Sequence, residues 1–181
     1  MWSRLPIPAD LDGLSDVKKQ RVIKTCPHRY LPGDYEISIW VDGNISITGN
    51  MNDLISEYDL DETPLYTRIH PGRNCIYDEA KAVVMLGKAP KGSVNEIVER
   101  YRAEGYPKHI GLAETCVLLR RHNDPRCRLI DEAWATEILL HSHRDQLSFN
   151  YVCWKNHFMP GYMVKQFKIN QNKYFRLEKH G

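Results

Sequence analysis

The chain has 181 residues and a mass of 21.1 kDa, and its 42% hydrophobic and 27% charged residues are typical of a soluble globular protein. This length suits one domain with a real hydrophobic core, so we predict a single domain over residues 1–181. The net charge of +2 and the pI near 8.2 argue against a nucleic-acid-binding protein, which usually has a dense basic patch.

The cysteines and the N-terminus bear on the cellular compartment. The five cysteines are widely spaced and include no C-x-x-C pair, so they predict neither a disulfide framework nor a zinc knuckle. The N-terminal "MWSRLPIPADLDG" lacks the apolar core of a signal peptide, and no run approaches the ~18 apolar residues of a membrane span. We therefore expect a protein of the reducing cytoplasm.

Helices and strands alternate along the first half of the chain. The first predicted helix is "DVKKQRVIKTC", with Ser15 as its N-cap, and the alternating "YEISIWV" and "NISIT" are predicted strands. Asp78 is the predicted cap of a helix through "EAKAVVML". A third helix, "VNEIVERYRAEG", is predicted from a capping box formed by Ser93 and Glu96.

The second half continues the same mixture. "ETCVLLR" is predicted to be a central strand, and Asp124 followed by proline starts a helix through "PRCRLIDEAWATEILLHSH". "DQLSFNYVCW" alternates as a strand would, yet we favour a helix with Asp145 as its N-cap. Residues 157–181 are predicted to form two edge segments around a turn at 170–172. This mixture predicts an α/β fold.

Asp42, in "VDGN", admits two interpretations. Asp-Gly and Gly-Asn are favoured hairpin-turn pairs, so a plain turn explains the stretch without any function. However, "ISIWV" is apolar enough to be buried, and a carboxylate at the carboxyl end of a buried strand lies where α/β proteins bind ligands. With Asn44 two residues later, both side-chain oxygens suit a hard cation such as Mg²⁺ or Mn²⁺.

Three further stretches contain candidate residues. In "RIHPGRNCIYDEA", the loop residue Arg73 suits a phosphate clamp, while the carboxylates that follow suit the first turn of a helix. Glu114 lies just before the predicted apolar strand, and Arg120 and Arg121 lie just after it. A salt bridge between Glu114 and one of these two arginines is the structural alternative for Glu114. In "SHRDQLSF", Arg144, Asp145 and Gln146 are candidates whose structural alternative is a helix cap with polar neighbours.

Four stretches occur together in one order: "KTCPHRYLPGDYEISIWVDGNISI", "IHPGRNCIYDEA", "YRAEGYPKHIGLAETCVLLRRHN" and "SHRDQLSFNYVCWK". This ordered set resembles a glycosyltransferase-like family formerly classed as a domain of unknown function. Its members occur in bacteria and as plant Golgi proteins linked to wall and mucilage polysaccharides. The resemblance covers roughly residues 20–156, which we take as the core of the domain.

That family is similar in turn to metal-dependent sugar-nucleotide transferases with a GT-A fold, in which a D-x-D motif after a strand holds Mn²⁺ or Mg²⁺ against the donor diphosphate. On this resemblance Asp42 matches the first motif position, and Asn44 replaces the second aspartate. Asp145 and Gln146 match a later Asp-Gln pair near the donor sugar.

Basic residues upstream of the strand, Arg21 and Lys24, would match groups that face the donor diphosphate. Only 41 residues precede Asp42, fewer than GT-A enzymes use to build the unit that holds the nucleotide base. The resemblance therefore implies a GT-A-like mixed sheet flanked by helices that lacks part of this N-terminal unit. We expect an exposed sheet edge beside residues 36–41, through which the chain self-associates.

The resemblance predicts a glycosyltransferase of hexosyltransferase type, which moves a sugar from a nucleotide-sugar donor to a glycan or lipid-linked acceptor with Mn²⁺ or Mg²⁺. The predicted catalytic residues are Asp145, Gln146 and Glu114; the substrate-binding residues are Arg21, Lys24, Arg73, Arg121 and Arg144; the metal ligands are Asp42 and Asn44. The alternative is a non-catalytic module that binds a glycan or a partner enzyme.

Two spatial expectations follow from these assignments. The carboxylates of Asp42 and Asp145 are expected within roughly 12 Å of each other, about the span of a metal ion plus a sugar diphosphate. Arg73 is expected to point into the same cleft without a carboxylate partner, because its partner is meant to be the diphosphate.

Overall fold

The computed structural model describes residues 5–141, 144–164 and 172–178. After a short 3-10 helix at Ala9–Leu11, the helices are α1 (Asp16–Thr25), α2 (Pro27–Tyr30), α3 (Met51–Ser56), α4 (Ile76–Met85), α5 (Lys91–Ala103), α6 (Pro125–Leu140) and α7 (Asp145–Lys155). The strands are β1 (Ser38–Val41), β2 (Ile45–Ile47), β3 (Leu65–Ile69), β4 (Ala113–Arg120), β5 (Gly161–Tyr162) and β6 (Phe175–Leu177).

The strands form two sheets. The larger has the order β1-β4-β3-β5, in which β4 is antiparallel to both neighbours and β5 is parallel to β3. The smaller pairs β2 with β6 in antiparallel fashion. A mixed sheet flanked by helices confirms the predicted α/β class.

Strand β4 is buried because apolar side chains leave it on both faces. Leu118 contributes to a large core formed with α4, α5, α6 and α7. Val117 and Leu119 point the other way, into a smaller core that includes residues of β2, β6 and α3. The prediction of a central strand here is confirmed.

Among the described strands, β1 is an edge strand of the larger sheet, as expected for residues 36–41. The N-terminal segment 5–8 and helix α2 line a cavity beside it. Self-association through this edge stays a prediction.

Two of the predicted N-caps are confirmed. Ser15 precedes α1, and its side chain accepts a hydrogen bond from the backbone N–H of Lys18 at 3.4 Å. Asp124 precedes α6 and accepts from the backbone N–H of Arg126 at 2.8 Å. The predicted helical register of α6 is also correct, because its buried residues include Cys127, Ile130, Trp134 and Ile138.

Three other caps were predicted wrongly. Helix α4 starts at Ile76, so Asp78 lies within its first turn. Helix α5 starts at Lys91, and Ser93 donates to the Pro90 carbonyl at 3.0 Å instead of forming a capping box. Asp145 is the first residue of α7 rather than its cap, because its carboxylate is occupied by other partners.

The C-terminal segment contains two of the strands. Strands β5 and β6 do fall within 157–181, but they join different sheets. Residues 170 and 171 of the predicted turn lie outside the described residues. Asn172 accepts hydrogen bonds from the backbone N–H groups of Tyr174 and Phe175, at 2.9 and 2.8 Å.

The stretch "VDGN" is a turn but not a hairpin. The Ile45 N–H donates to the Asp42 carbonyl at 2.9 Å and closes the turn. The flanking strands do not pair with each other, because β1 pairs with β4 and β2 pairs with β6. The hairpin interpretation is therefore wrong, and Asp42 lies at the corner where the chain passes from one sheet to the other.

Among the described residues, no helix combines the length and the apolar character needed to span a membrane.

Candidate functional site

The ammonium group of Lys24 lies between two carboxylates. Its Nζ atom is 3.1 Å from Oδ1 of Asp42 and 2.6 Å from Oδ2 of Asp145. Because both oxygens contact one nitrogen, they lie no more than about 6 Å apart, the sum of the two contacts. The expectation that these two carboxylates lie within roughly 12 Å of each other is confirmed.

Helix α1 supplies both basic groups of this site. Arg21 and Lys24 are three residues apart and share a helix face. The Nε atom of Arg21 lies 3.6 Å from Oδ1 of Asp145, so this carboxylate faces two cations. Arg21 is more accessible than Lys24, since their side chains are 16% and 1% exposed.

A buried arginine fixes the end of α1. Arg120, on β4, donates to the carbonyl oxygens of Lys24 and Thr25 at 2.8 and 3.3 Å. These carbonyls belong to the last turn of the helix, where backbone acceptors lack partners within the helix. The guanidinium also pairs at 3.2 Å with Asp131 of α6, whose carboxyl pKa is raised to about 6 by burial. This contact network holds the Lys24 backbone in place.

Asp145 is buried but ionised. Burial by itself raises the pKa of this carboxyl, but the nearby charges of Lys24 and Arg21 have the opposite effect. Hydrogen bonds also lower the pKa, including one donated by Thr115 Oγ1 at 3.1 Å. The pKa is consequently held below its usual value, and Asp145 carries a negative charge at neutral pH.

Asp42 is the more accessible carboxylate of the pair, with its side chain 30% exposed. Its Oδ1 atom accepts hydrogen bonds from Trp40 Nε1 at 2.7 Å and from Lys24 Nζ at 3.1 Å. Trp40 reaches it because residues two apart along an extended chain project to the same side. Lys24 Nζ also lies 5.8 Å from the centroid of the Trp40 ring. Of the two carboxylates, Asp42 is the one that a ligand in solvent can contact.

Glu114 is held by an ion pair close to Asp42. Arg68 Nη1 lies 2.5 Å from Glu114 Oε2 and also donates to Cys116 Sγ at 3.1 Å. The Cys116 carbonyl accepts from the backbone N–H of Asp42 at 2.9 Å, which links this pair to the site. Burial raises the pKa of the Cys116 thiol to about 11, so the thiol is neutral. The partner of Glu114 is Arg68 rather than an arginine after β4, and its catalytic role stays a prediction.

Arg73 was predicted wrongly as an arginine without a carboxylate partner. Its Nε atom lies 2.5 Å from Oε2 of Glu79, in the first turn of α4. Its Nη2 atom lies 3.1 Å from His70 Nε2, and burial lowers the pKa of that imidazole. Arg73 therefore belongs to an ion pair that fixes the loop before α4.

Arg121 lies at the far end of the sheet from Asp42. Val41 is paired with Val117, and Arg121, the residue after β4, is four residues further along the chain, roughly 13 Å away at the usual rise of a strand. Its guanidinium pairs with Glu36 at 3.3 Å and with Asp61 at 3.0 Å. The structure thus separates Arg121 from the other candidates.

Three predicted residues border the site without a demonstrated role. Arg144 precedes Asp145 as the N-cap residue of α7, and the half-buried Gln146 follows it. The backbone carbonyl of Asn44 accepts from the Glu178 N–H at 2.8 Å. The functions assigned to these side chains stay predictions.

The side chains of Asp42 and Asn44 do not fit a resident divalent ion. They offer one negative charge, and Asp42 Oδ1 already has an ammonium and an indole N–H as partners. Hard divalent cations need several oxygen ligands and favourable charge, whereas the Lys24 ammonium repels them here.

Two other groups of potential metal ligands occur among the described residues, each with its ligand atoms within 4.8 Å of one another: Cys26, His28 and Glu132, and Cys75, Asp78 and His109. Neither includes Asp42 or Asn44. In the first group, burial raises the pKa of Cys26 to about 12, so its thiol stays protonated. In the second group, Asp78 pairs with Lys81 at 3.1 Å.

A mostly apolar cavity of about 490 Å³ adjoins the site, between the edge strand β1, helices α1 and α2 and residues 5–8. A smaller cavity of about 220 Å³ lies next to it and includes Asp16, Lys19 and Gln20 of the α1 region. Both are lined by Trp40, whose indole N–H contacts Asp42. Asp42 and Asp145 are not among the residues that line either cavity. Asp42 is connected to both cavities through Trp40.

Sequence reasoning missed two residues that hold the site together, Trp40 and Thr115. The position of Trp40 two residues before Asp42 in an extended stretch was the available signal. Thr115 is a polar residue in an otherwise apolar strand, which marks it for a hydrogen bond but does not name its partner.

Comparison with known proteins gives two findings. The family model described as "TOD1/MUCI70, glycosyltransferase-like domain" matches residues 14–180. The Arabidopsis thaliana protein "Probable hexosyltransferase MUCI70" is 27% identical over 141 residues, which cover 73% of this chain and 24% of that protein. The chain thus spans about a quarter of the length of this curated relative.

Proposed function

The chain belongs to the TOD1/MUCI70 glycosyltransferase-like domain family, and from this we propose that it transfers a hexosyl group from a nucleotide-sugar donor to a glycan or lipid-linked acceptor. The match over residues 14–180 includes all four stretches on which the resemblance rested. The name of the plant relative supports a hexosyl group in particular. A GT-A-like arrangement and a role in polysaccharide assembly are parts of the same proposal.

The observation that carries the proposal is the group formed by Arg21, Lys24, Asp42 and Asp145 beside a cavity. Transfer of a sugar leaves a nucleoside diphosphate whose growing negative charge must be stabilised. Arg21 is the more accessible cation and contacts the diphosphate, and Lys24 adds a second positive charge behind it.

The two carboxylates have different roles in this proposal. Asp42 is accessible and accepts a hydrogen bond from a hydroxyl group of the sugar or the acceptor. Asp145 is buried, and its charge is matched by Lys24 and Arg21, so we assign it as a positioning residue for these cations rather than as the catalytic residue expected from the resemblance. Gln146, the next residue on α7, remains the proposed contact to the donor sugar.

We place the nucleoside in the larger cavity. Its volume of about 490 Å³ is within the range of roughly 300–1,000 Å³ that small-molecule sites have. Trp40 and Tyr30 supply aromatic surface for a base, and Trp40 also contacts Asp42. The diphosphate would then extend from the cavity towards Arg21.

A non-catalytic module that binds a glycan or a partner enzyme is the second candidate. It is favoured by one observation: the charges of Lys24 and Asp145 neutralise each other in a direct ion pair at 2.6 Å. Such a closed pair is also what a purely structural site would contain.

Isothermal titration calorimetry with UDP, GDP and their hexose conjugates tests donor binding. Release of the nucleoside diphosphate, measured with and without oligosaccharide acceptors, separates an enzyme from a binding module. We expect binding of one nucleotide class and acceptor-dependent release. Binding of oligosaccharides alone, with no nucleotide affinity at 1 mM, would favour the second candidate.

A further inference from the structure

The position of Lys24 bears on the metal requirement of the proposed reaction. Its Nζ atom contacts a carboxylate oxygen of Asp42 and one of Asp145, at 3.1 and 2.6 Å. A cation shared by two carboxylates is the arrangement that a divalent ion would adopt if it used these same ligands. Here the position is already taken by a side chain of the protein.

The surroundings of Lys24 fix it in this position. Its side chain is 1% exposed, and its backbone carbonyl is held by Arg120 at 2.8 Å. Removing the ammonium from this position would leave the buried Asp145 paired with the more distant Arg21, at 3.6 Å. A divalent ion that bound Asp42 in addition to Lys24 would bring two positive groups to the same carboxylate.

The charges of the group also balance without a metal ion. Asp42 and Asp145 contribute two negative charges, and Lys24 and Arg21 contribute two positive charges. Asn44, at the second motif position, is neutral and adds no charge for a divalent ion to offset.

We propose that Lys24 is the resident cation of this site and that the site binds its ligand without a divalent metal. Lys24 neutralises the negative charge of the two carboxylates from its buried position, while the more accessible Arg21 makes the direct contact to an anionic ligand. The statement about the ligand rests on the proposed function, whereas the statement about Lys24 does not.

Electron paramagnetic resonance of Mn²⁺ tests the role of Lys24 directly, since the signal of the free ion falls when the ion binds to protein. The wild-type protein is expected to leave the signal of the free ion unchanged up to 1 mM protein. The variant Lys24→Gln uncovers two carboxylates and is expected to bind Mn²⁺ at least tenfold more tightly than the wild type. Lys155→Gln, which removes a surface lysine from Glu104, a carboxylate outside both groups of potential metal ligands, is the matched control and is expected to behave as the wild type.

Two results would overturn the proposal. One is Mn²⁺ binding by the wild-type protein below 100 μM that is abolished by Asp42→Asn. The other is a folded Lys24→Gln variant, by circular dichroism, that gains no affinity for Mn²⁺. If Lys24→Gln does not fold, the wild-type and Asp42→Asn titrations alone decide the question.

Donor binding provides a second test of metal independence. Calorimetry with UDP- and GDP-hexoses is expected to give dissociation constants that agree within threefold in EDTA and in Mn²⁺. Binding that needs Mn²⁺ and disappears in EDTA contradicts metal independence. If no nucleotide sugar binds under either condition, the proposed function fails, while the Mn²⁺ titration still decides the role of Lys24.

Discussion

Arg120 Nη2 lies 2.8 Å from the backbone carbonyl oxygen of Lys24, so a buried residue of the central strand fixes the end of the helix that supplies the site's ammonium group. The same guanidinium pairs with Asp131 of α6. Strand β4, helix α1 and helix α6 therefore meet at one side chain. The geometry of the proposed site depends on this junction, although Arg120 itself contacts neither Asp42 nor Asp145 in any hydrogen bond or ion pair identified among the described residues.

Replacing Arg120 by lysine is expected to lower the free energy of unfolding by about 2 kcal/mol, because a lysine keeps the charge but cannot bond to two carbonyls and a carboxylate in the same geometry. Urea denaturation measures the change. The neighbouring Arg121→Lys is the control, and it is expected to stay within about 0.5 kcal/mol because its ion pairs are exposed. Equal losses for both variants would contradict the proposed junction.

The acid sensitivity of the fold is expected to depend on Asp145. Its folded pKa lies below the unfolded value, so its ionised form stabilises the protein above that unfolded value, and this contribution is lost as the pH falls through the folded pKa. Urea denaturation between pH 7 and pH 3 is expected to show a steeper loss of stability for wild type than for Asp145→Asn. Asp78→Asn is the control: its pKa is also lowered, but the group is exposed, so its profile is expected to follow the wild type. Parallel profiles for wild type and Asp145→Asn would refute this assignment.

Two arginines with the same predicted role provide a matched test of the site's location. Arg21→Gln is expected to weaken nucleotide-sugar binding about tenfold, or about 1.4 kcal/mol, because it removes the accessible cation beside Asp145. Arg121→Gln is expected to leave the affinity unchanged, because Arg121 pairs with Glu36 and Asp61 at the other end of the sheet. Calorimetry measures both. A larger loss of affinity for Arg121→Gln than for Arg21→Gln would indicate that the binding site lies at the Arg121 end of the sheet.

The close approach of the chain just after β2 to residues 173 and 174 can be tested with two glycines. A Cβ atom at Gly49 would lie 2.5 Å from the carbonyl oxygen of Lys173, whereas one at Gly43 would meet nothing within 4 Å. Gly49→Ala is therefore expected to destabilise the protein by about 1–3 kcal/mol. Gly43→Ala is expected to change stability by less than about 0.5 kcal/mol. Thermal unfolding of both variants checks the difference, and equal melting temperatures would show that the segment adjusts freely.

The longer elements could be predicted because their hydrophobic periodicity and their boundary residues indicate the same type of element. Helix α6 has both a cap at Asp124 and a stripe of buried residues, and β4 has an apolar run of strand length. Helix α3 and strand β3 have only six and five residues, so neither repeats its pattern often enough to be recognised. The capping box at Ser93 gave a helix start that was too late, because the helix begins directly after Pro90.

The site was less predictable than the fold. Asp42 and Asp145 were placed together by family resemblance, since nothing in their spacing of about a hundred residues brings them close. Lys24 was expected to face a diphosphate, and its buried position between the two carboxylates follows only from the way α1 packs on the sheet. Arg73 was misjudged because its partner, Glu79, lies in the next helix and becomes its neighbour through the turn between them.

Strand β6 pairs with β2, and the residue that follows it supports the turn of Asp42, since the Glu178 N–H donates to the Asn44 carbonyl at 2.8 Å. Contacts between residues so far apart in sequence form slowly during folding, because the intervening chain must first be ordered. During synthesis, residues 172–178 leave the ribosome after the rest of the described chain. A ribosome-bound chain that ends before residue 172 would still lack the outer strand beside Asp42. Nucleotide binding by such nascent chains is therefore expected to appear only after residues 172–178 have emerged from the ribosome.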